Sequence, residues 1–324
     1  MQGVRRVVLL ALAFVVAPVA TAKTTPAQLL ARHQPVTILH PVETFAPTPV
    51  DPFVAGSTLE QTDGVRWLPA DPQPGGPDDL PVEGTDCDGP CWRLDFRGCT
   101  PTTGVAAVSC YGAPAAPPSV VYGAVRTTRD RVVLQYWYWY AYNFWSGLFP
   151  PGDFVWQAHE GDWEVVAVVL TRAGKPLYVA YSQHCSGKRR AWAKVPKRGT
   201  HPVAYVALGS HSHWFSAGDQ LMDLSCYDPA AAVVFRTYLG TVLDRTGGGR
   251  TLGPGRFAPE RTALVRVTQT TPRWMRFPGR WGETAYAHFP DPLGTVTYGP
   301  APEGPAFHAM WAKPIAAALQ WPTG

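Results

Sequence analysis

Charged side chains are scarce in this 324-residue chain: 28 lysines and arginines and 24 aspartates and glutamates make up 16% of it. A formal net charge of only +4, with no extended basic stripe, gives no electrostatic footprint for nucleic acid. The one basic cluster, Lys188-Arg189-Arg190 with Lys194, Lys197 and Arg198, reads as a solvated surface stretch. Long apolar runs are missing too. Val7 to Val16 is too short to span a bilayer and no later segment is longer, so no transmembrane segment is expected and any membrane contact would be peripheral. Arg5 and Arg6 precede that run and Ala20-Thr21-Ala22 follows it, the layout of a secretory signal peptide over residues 1–22. The expected product is a secreted, extracellular protein starting near Lys23, whose net charge falls from +4 to +2 with the loss of the two arginines.

Several catalytic signatures are also absent. A zinc-protease His-Glu-x-x-His would need histidine where Trp163 stands. No Gly-x-Ser-x-Gly nucleophile elbow occurs, since Gly209-Ser210-His211 lacks the frame. Gly247-Gly248-Gly249 is not followed by the Lys-Ser/Thr of a phosphate-binding loop, and there is no internal repeat. Cysteines number six, which in a secreted chain argues for disulfides with fifteen arithmetical pairings. Cys87, Cys91, Cys99 and Cys110 crowd into one Gly/Pro-rich region and are expected to pair among themselves, and Cys185 with Cys226. A structural zinc site is the rival for the first four, but Cys99 and Cys110 are too far apart to supply its second close pair. An oxidising compartment favours cystine and leaves no thiol nucleophile.

What the chain does have is proline, glycine and strand-forming residues, with 34 prolines and 31 glycines. Runs rich in Val, Ile, Tyr and Trp predict strands at Pro35 to His40, Ser119 to Thr127, Arg131 to Tyr142, Trp163 to Thr171, Pro176 to Gln183 and Pro202 to Gly209. The fold class is therefore all-β: a single large β-sandwich over residues 23–324, with one or two short helices. Gln135 to Tyr142 is aromatic on both faces and should be a central strand covered on both sides. The helices are expected at Pro26 to Arg32 and from Asp228-Pro229, an N-cap and first-turn proline, to Val242. Residues 69–118 read as an irregular insert clamped by disulfides.

The chemistry concentrates in His159-Glu160-Gly161-Asp162-Trp163-Glu164. In an extended strand Asp162 and Glu164 share a face, roughly 7 Å apart. Two carboxylates so placed repel unless a cation, a proton or a basic partner lies between them. Gly161 lets the backbone turn and bring His159 close, giving a first shell for a divalent metal with mostly oxygen ligands. If the following strands are neighbours, their ends would add His184 and His211 to a metal set of His159, Asp162, Glu164, His184 and His211. His213 and Trp214, with Phe215, are surface candidates for ligand contact, Trp163 is read as a core plug, and His40, His288 and His308 as structural.

Three readings follow. In the favoured one, a Mg²⁺ or Ca²⁺ on Asp162 and Glu164 organises a pocket for a glycan or lipid head group. In the second, His184 and His211 complete a nitrogen-richer site in which Zn²⁺ or Mn²⁺ activates water to hydrolyse an ester or phosphoester. In the third, the acids and histidines only hydrogen-bond to one another and stabilise the sandwich.

The order of Leu134 to Asn143, His159 to Glu164, Gln183-His184, His201 to His211 and Phe277 to Glu283 resembles the vacuolar protein sorting-associated protein 62 family, as do Ile38 to Glu43 near the start and Gly304-Pro305 with Trp311 near the end. That family implies no settled activity. The hexapeptide is also similar to the core of the Gly-His-Arg-His-Asp-Trp-Glu motif of necrosis- and ethylene-inducing-peptide-like toxins. This likeness implies a secreted β-sandwich that binds a divalent cation and recognises sphingolipid head groups, with His159, Asp162 and Glu164 on the motif's first histidine, aspartate and glutamate. Gly161 stands where its second histidine would be and Ala158 where its glycine would be.

Overall fold

A computed structural model describes residues 24–83, 91–99, 104–111, 118–146, 155–223, 243–283, 286–288, 295–297 and 301–324. The expected signal peptide, the helix from Asp228, and Cys87 and Cys226 lie outside the described residues.

Strands dominate. The main sheet has six, in the order β17-β5-β6-β7-β8-β9: Ala263–Arg266, Val120–Thr127, Arg131–Ser146, Val155–Thr171, Pro176–Gln183 and Ser186–Ala191. All its pairings are antiparallel except that of β17 with β5. A second sheet runs β10-β11-β1-β15-β16 (Lys197–Arg198, His201–Val206, Val36–Ile38, Thr251–Gly253, Glu260–Arg261), with β12, His213–Trp214, beside β11. All six expected strands are present, but others were not foreseen, among them β9, β15 and β17, and β6 and β7 extend further than expected: β7 begins at Val155, so the hexapeptide is strand interior and not its approach.

The central strand β6 sorts its aromatics by face, because successive side chains point to opposite sides of a sheet. Tyr136, Tyr138, Tyr140 and Tyr142 enter one core with Val166, Val168, Leu170 and Tyr181, against Leu39, Ala204, Val206 and Leu252 of the second-sheet side. That is the sandwich interior. Tyr181 Oη donates to the Val203 carbonyl at 2.9 Å, tying the two sheets together. Trp137 and Trp139 enter the other core with Val165, Val169 and Trp163. There Trp139, Trp163, Trp274 and Trp281 form a cluster with ring centres 4.9 to 5.8 Å apart. Both faces of β6 are thus covered, as its composition requires.

A three-stranded sheet, β3-β2-β4, helps to cover this second face. Its strands are β2 (Ser57–Thr62), β3 (Trp67–Pro69) and β4 (Trp92–Phe96), so the insert contributes a regular strand that the Pro/Gly-rich sequence did not suggest. The rest of the insert includes a helix, Gly104–Tyr111, clamped by Cys99–Cys110. Cys91 and Cys185 are disulfide-bonded as well. Glu160 pins the insert to the sheet: its carboxylate accepts from Tyr111 Oη at 2.9 Å, from the Phe96 amide at 3.2 Å and from the Glu283 amide at 2.9 Å. Burial outweighs those bonds and pushes the carboxyl up to about 7. Among the described residues no helix is long and apolar enough to cross a membrane.

Gly161 adopts a φ of +62°, and a Cβ there would run into the Trp281 carbonyl oxygen and the Trp139 ring. Gly161→Ala should therefore lose about 3 kcal/mol, from left-handed backbone and overpacking together. Thermal denaturation should show a melting temperature lower by roughly 5 °C or more. An unchanged melting temperature would show that this position is not confined.

Candidate functional site

β8 pairs with β7 only from Val166 onward; at Val165 the Ser182 hydroxyl takes over, accepting from the Val165 amide at 2.7 Å. The hexapeptide half of β7 lies beyond that ladder. A cleft of about 420 Å³ runs alongside it, and residues from both faces of the strand, Trp163 and Glu164, line it together. Only at a strand's edge can that happen. His159, Asp162, Glu164, Asn143, His184 and Ser210 form its polar part, with Trp137, Phe307, His308, Arg280 and Glu303 around them.

The two neighbouring acids are reconciled differently. Asp162 Oδ2 takes a 2.9 Å hydrogen bond from His211 Nδ1 and a 3.3 Å bond from Asn143 Nδ2. The His211 ring is fully buried, stacked on Tyr140 with centres 3.8 Å apart and planes within 3°. Its Nε2 lies 3.8 Å from Glu43 Oε1, too long for a hydrogen bond but close enough for the charge to be felt. Burial opposes a charge on this ring, yet the Asp162 bond and the Glu43 carboxylate outweigh it and hold it at about 9. Glu43 is itself fixed by the amides of Phe45 at 2.8 Å and Gly209 at 2.7 Å; despite burial, the histidine and these bonds keep its carboxyl below the usual range. Glu164 takes the other course. Burial, then the negative charge of Asp162, push its carboxyl well above the usual range, while the Ser182 hydroxyl donates to Oε2. Asp162 thus has a basic partner, whereas burial beside it favours the uncharged form of Glu164.

His184 follows β8 directly and belongs to a neighbouring network. Its Nε2 lies 3.0 Å from Asp244 Oδ2 on β14 (Leu243–Thr246), which also accepts from Trp214 Nε1 at 3.0 Å, while Oδ1 accepts from Ser210 at 2.8 Å. These bonds and His184 depress the Asp244 carboxyl in spite of burial. Among the described residues, the only non-glycine positions with positive φ are His184 at 51° and His211 at 53°. Each costs about 1–3 kcal/mol of backbone strain, and both deliver a ring to a buried carboxylate.

His159 faces a different partner. Its Nδ1 lies 2.7 Å from the Gly161 carbonyl oxygen, which fixes the proton there and leaves Nε2 as the lone-pair nitrogen. Burial holds the ring below its ordinary value. Tying one ring nitrogen to a carbonyl is how proteins prepare a histidine for a metal, and the carboxylates beside it add oxygen donors suited to a hard cation. Among the described residues, no three His, Cys, Asp or Glu side chains are arranged to hold a metal ion. Of the five expected ligands, His159, Asp162, Glu164 and His184 line the cleft, and His211 sits behind Asp162.

Trp214, Phe215 and His213 are not surface groups. They are 2%, 3% and 0% exposed, because β12 is drawn into the sandwich by its pairing with β11. The indole N–H of Trp214 is committed to Asp244, and neither ring nitrogen of His213 has a hydrogen-bond partner. Sequence reasoning missed Glu43, Asn143, Ser182 and Asp244, which carry no local signature; His308, read as structural, accepts from the Met310 amide at 3.0 Å as a helix N-cap and also lines the cleft.

No family model matches this chain and no curated protein does, so the resemblance to the vacuolar protein sorting-associated protein 62 family gains no support. Similar solved structures are necrosis- and ethylene-inducing proteins at low identity. Necrosis and Ethylene inducing Protein 2, from the causal agent of cocoa's Witches Broom disease, is 16% identical over 61% of this chain and 72% of that one, with a TM-score of 0.32. The non-toxic HaNLP3 protein is 16% identical over 61% and 73%, with a TM-score of 0.33. NLPPya in complex with glucosamine is 19% identical over 60% and 69%, with a TM-score of 0.30. Scores of this size do not establish a common fold.

His211 fixes the sign of the pH dependence. A ring raised in the folded state stabilises fully below its ordinary value of about 6.5, and loses that contribution as pH rises through about 9. Urea denaturation should therefore show stability falling between pH 6.5 and 9, and a His211→Gln variant should show a shallower fall, the raised carboxyls of Glu160 and Glu164 contributing the remainder. Stability flat or rising over this interval in the wild type would contradict the charged pair. His211→Ala, which strands two buried carboxylates, should cost about 3–5 kcal/mol at pH 6.

Proposed function

We propose that the chain is a secreted binding protein whose hexapeptide cleft takes a glycan or a lipid head group, with a divalent cation assisting. The observation that carries this reading is the cleft's lining. Carboxylates, imidazoles and an amide line about 420 Å³ together with the aromatic residues Trp137, Trp163 and Phe307, of which Phe307 is exposed. Asn143 Oδ1 is buried there without a hydrogen-bond partner, an acceptor that a hydroxyl-bearing ligand would satisfy. Sugar rings and polyol head groups combine hydroxyl edges with apolar faces, a pairing that the mixed polar and aromatic lining suits. The disulfides fit an oxidising, extracellular setting.

The cation would be Mg²⁺ or Ca²⁺, suited to carboxylate oxygens, and binding it would require the side chains of His159, Asp162 and Glu164 to shift together, since they are not arranged to hold an ion in this structure. Such an ion supplies positive charge and open positions for ligand hydroxyl or phosphate oxygens. His159 orients its Nε2 through the Gly161 carbonyl, and Asp162 is steadied by Asn143 and His211. The nitrogen-rich site of a hydrolase gains less support, since His184 and His211 each direct a ring nitrogen at a carboxylate.

Calorimetric titration with a panel of sugars and head groups, in Ca²⁺ or in chelator, tests this. Saturable binding is expected for at least one member. Phe307→Ala should weaken it roughly fivefold or more by removing about 1 kcal/mol of aromatic contact, with the melting temperature unchanged because the ring is 48% exposed. No binding across the panel, or full affinity in Phe307→Ala, would overturn the assignment of this cleft. His159→Gln should abolish any stabilisation by added Ca²⁺ or Mg²⁺; a wild type whose melting temperature ignores both ions would remove the cation from the proposal.

A further inference from the structure

His308 lies between the turn Pro305–Phe307 and the short helix Ala309–Ala312, and its backbone is fully committed there. The amide donates to the Pro305 carbonyl at 3.1 Å, and the carbonyl accepts from the Trp311 amide at 2.9 Å and the Ala312 amide at 3.2 Å. The helix is pegged to the main sheet. Gln135, buried on the same face of β6 as Trp137, accepts from Trp137 Nε1 at 3.2 Å and donates to the Met310 carbonyl at 2.6 Å. Met310 and Trp311 sink into the tryptophan core. The His308 ring stands edge-on to Trp137, with centres 5.4 Å apart and planes 79° apart, and lines the hexapeptide cleft beside Phe307.

That anchoring decides where the imidazole proton sits. Nδ1 accepts from the Met310 amide at 3.0 Å. A backbone N–H can only donate, so Nδ1 carries a lone pair and the proton of the neutral ring is on Nε2. A second proton would set N–H against N–H, and burial by itself holds the ring down to about 4. His308 is thus a neutral donor at physiological pH, and no group among the described residues takes its Nε2 proton. His159 is the converse, with Nδ1 tied to the Gly161 carbonyl and the lone pair on Nε2. The other polar donors of the lining are spent. Asn143 is directed at Asp162, Ser210 and His184 at Asp244, and Arg280 at Glu303 and the Ala301 carbonyl, both at 3.3 Å. The Trp163 N–H has no partner but is itself buried.

We infer that His308 Nε2 is the ligand-recognising donor of this cleft, bonding an uncharged acceptor oxygen, a hydroxyl or an amide carbonyl of a sugar or polyol. The inference rests on the reading of the cleft as a glycan or head-group site and names the group selected there. A fixed donor cannot accept, so an ammonium group is unsuited to this position. Asp162 and Glu303 line the same cleft, and Arg280 is already matched by Glu303, so an anion is disfavoured as well. Neutral hydroxyl-rich ligands meet both conditions.

Long-range ¹H–¹⁵N spectra of the full chain, labelled at histidine, test this at about pH 7 with glucose, N-acetylglucosamine and myo-inositol as probes. His308→Asn identifies the His308 signals and serves as the binding variant. Its Oδ1 takes the place of Nδ1 in the helix cap, asparagine being a preferred capping residue, while nothing replaces Nε2. In the wild type, His308 should appear as the Nε2-protonated tautomer, and its Nε2 signal should move as a probe saturates. His308→Asn should weaken that probe roughly fivefold or more, the worth of one hydrogen bond. A ring protonated on Nδ1, an Nε2 signal that stays still while those of His159 move to saturation, or full affinity in His308→Asn would each overturn the inference and leave the cleft's assignment standing. No response of any histidine signal to any probe would remove the assignment of the cleft, and this inference with it.

Discussion

The buried bond between the His211 ring and Asp162 holds the candidate site together. Asp162 belongs to the main sheet and His211 to the turn joining β11 and β12, so this 2.9 Å contact spans the two layers of the sandwich. Glu43 approaches from the other side of the ring, and its carboxylate in turn fixes the turn through the Gly209 amide. The Phe144 amide donates to the Gly209 carbonyl, so the same turn is anchored to β6. A charged histidine between two carboxylates is costly to bury and unforgiving once buried, because losing either partner leaves a charge without compensation. That constraint fixes where the Asp162 carboxylate stands at the cleft.

Beside it Glu164 meets the same low-dielectric surroundings without a histidine within bonding distance; His213 Nδ1 is 3.9 Å away and its ring is held down to about 3 by burial and by the charge of His211. One acid is therefore paired, and burial favours the uncharged form of the other. The cleft presents a mixed surface of donors and acceptors, suited to hydroxyl-rich ligands. Loss of the proton from Glu164 would raise the negative charge facing the cavity, the condition under which a divalent ion is most strongly attracted. Protonation would thus compete with the proposed cation for one carboxyl group.

The sandwich that frames this chemistry rests on the alternation of β6. Its tyrosines enter the layer shared with the second sheet, where the hydroxyls of Tyr136 and Tyr181 find backbone carbonyls of Leu30 and Val203. Its tryptophans enter the opposite layer, against Trp163, Trp274 and Trp281. The Asp162 and Glu164 side chains share the tyrosine layer and Trp163 the tryptophan layer, so the hexapeptide's acids and its indole are divided between two cores. They meet again only at the cleft, where the strand's edge is uncovered.

The sequence by itself determined the strand content, the central position of Gln135 to Tyr142, the common face of Asp162 and Glu164, and the crowding of Cys99 and Cys110. Each follows from local rules: period-two alternation, β-branched and aromatic composition, and short separation along the chain. Tertiary structure alone decided that Glu43, Asn143 and Asp244 would meet the histidines, that Trp214 would be interior, and that Trp92–Phe96 would emerge from a proline-rich insert as a strand. Those outcomes depend on which layers close over one another. Contacts between residues such as Glu43 and His211 are set by packing across the sandwich, and no spacing along the chain records them.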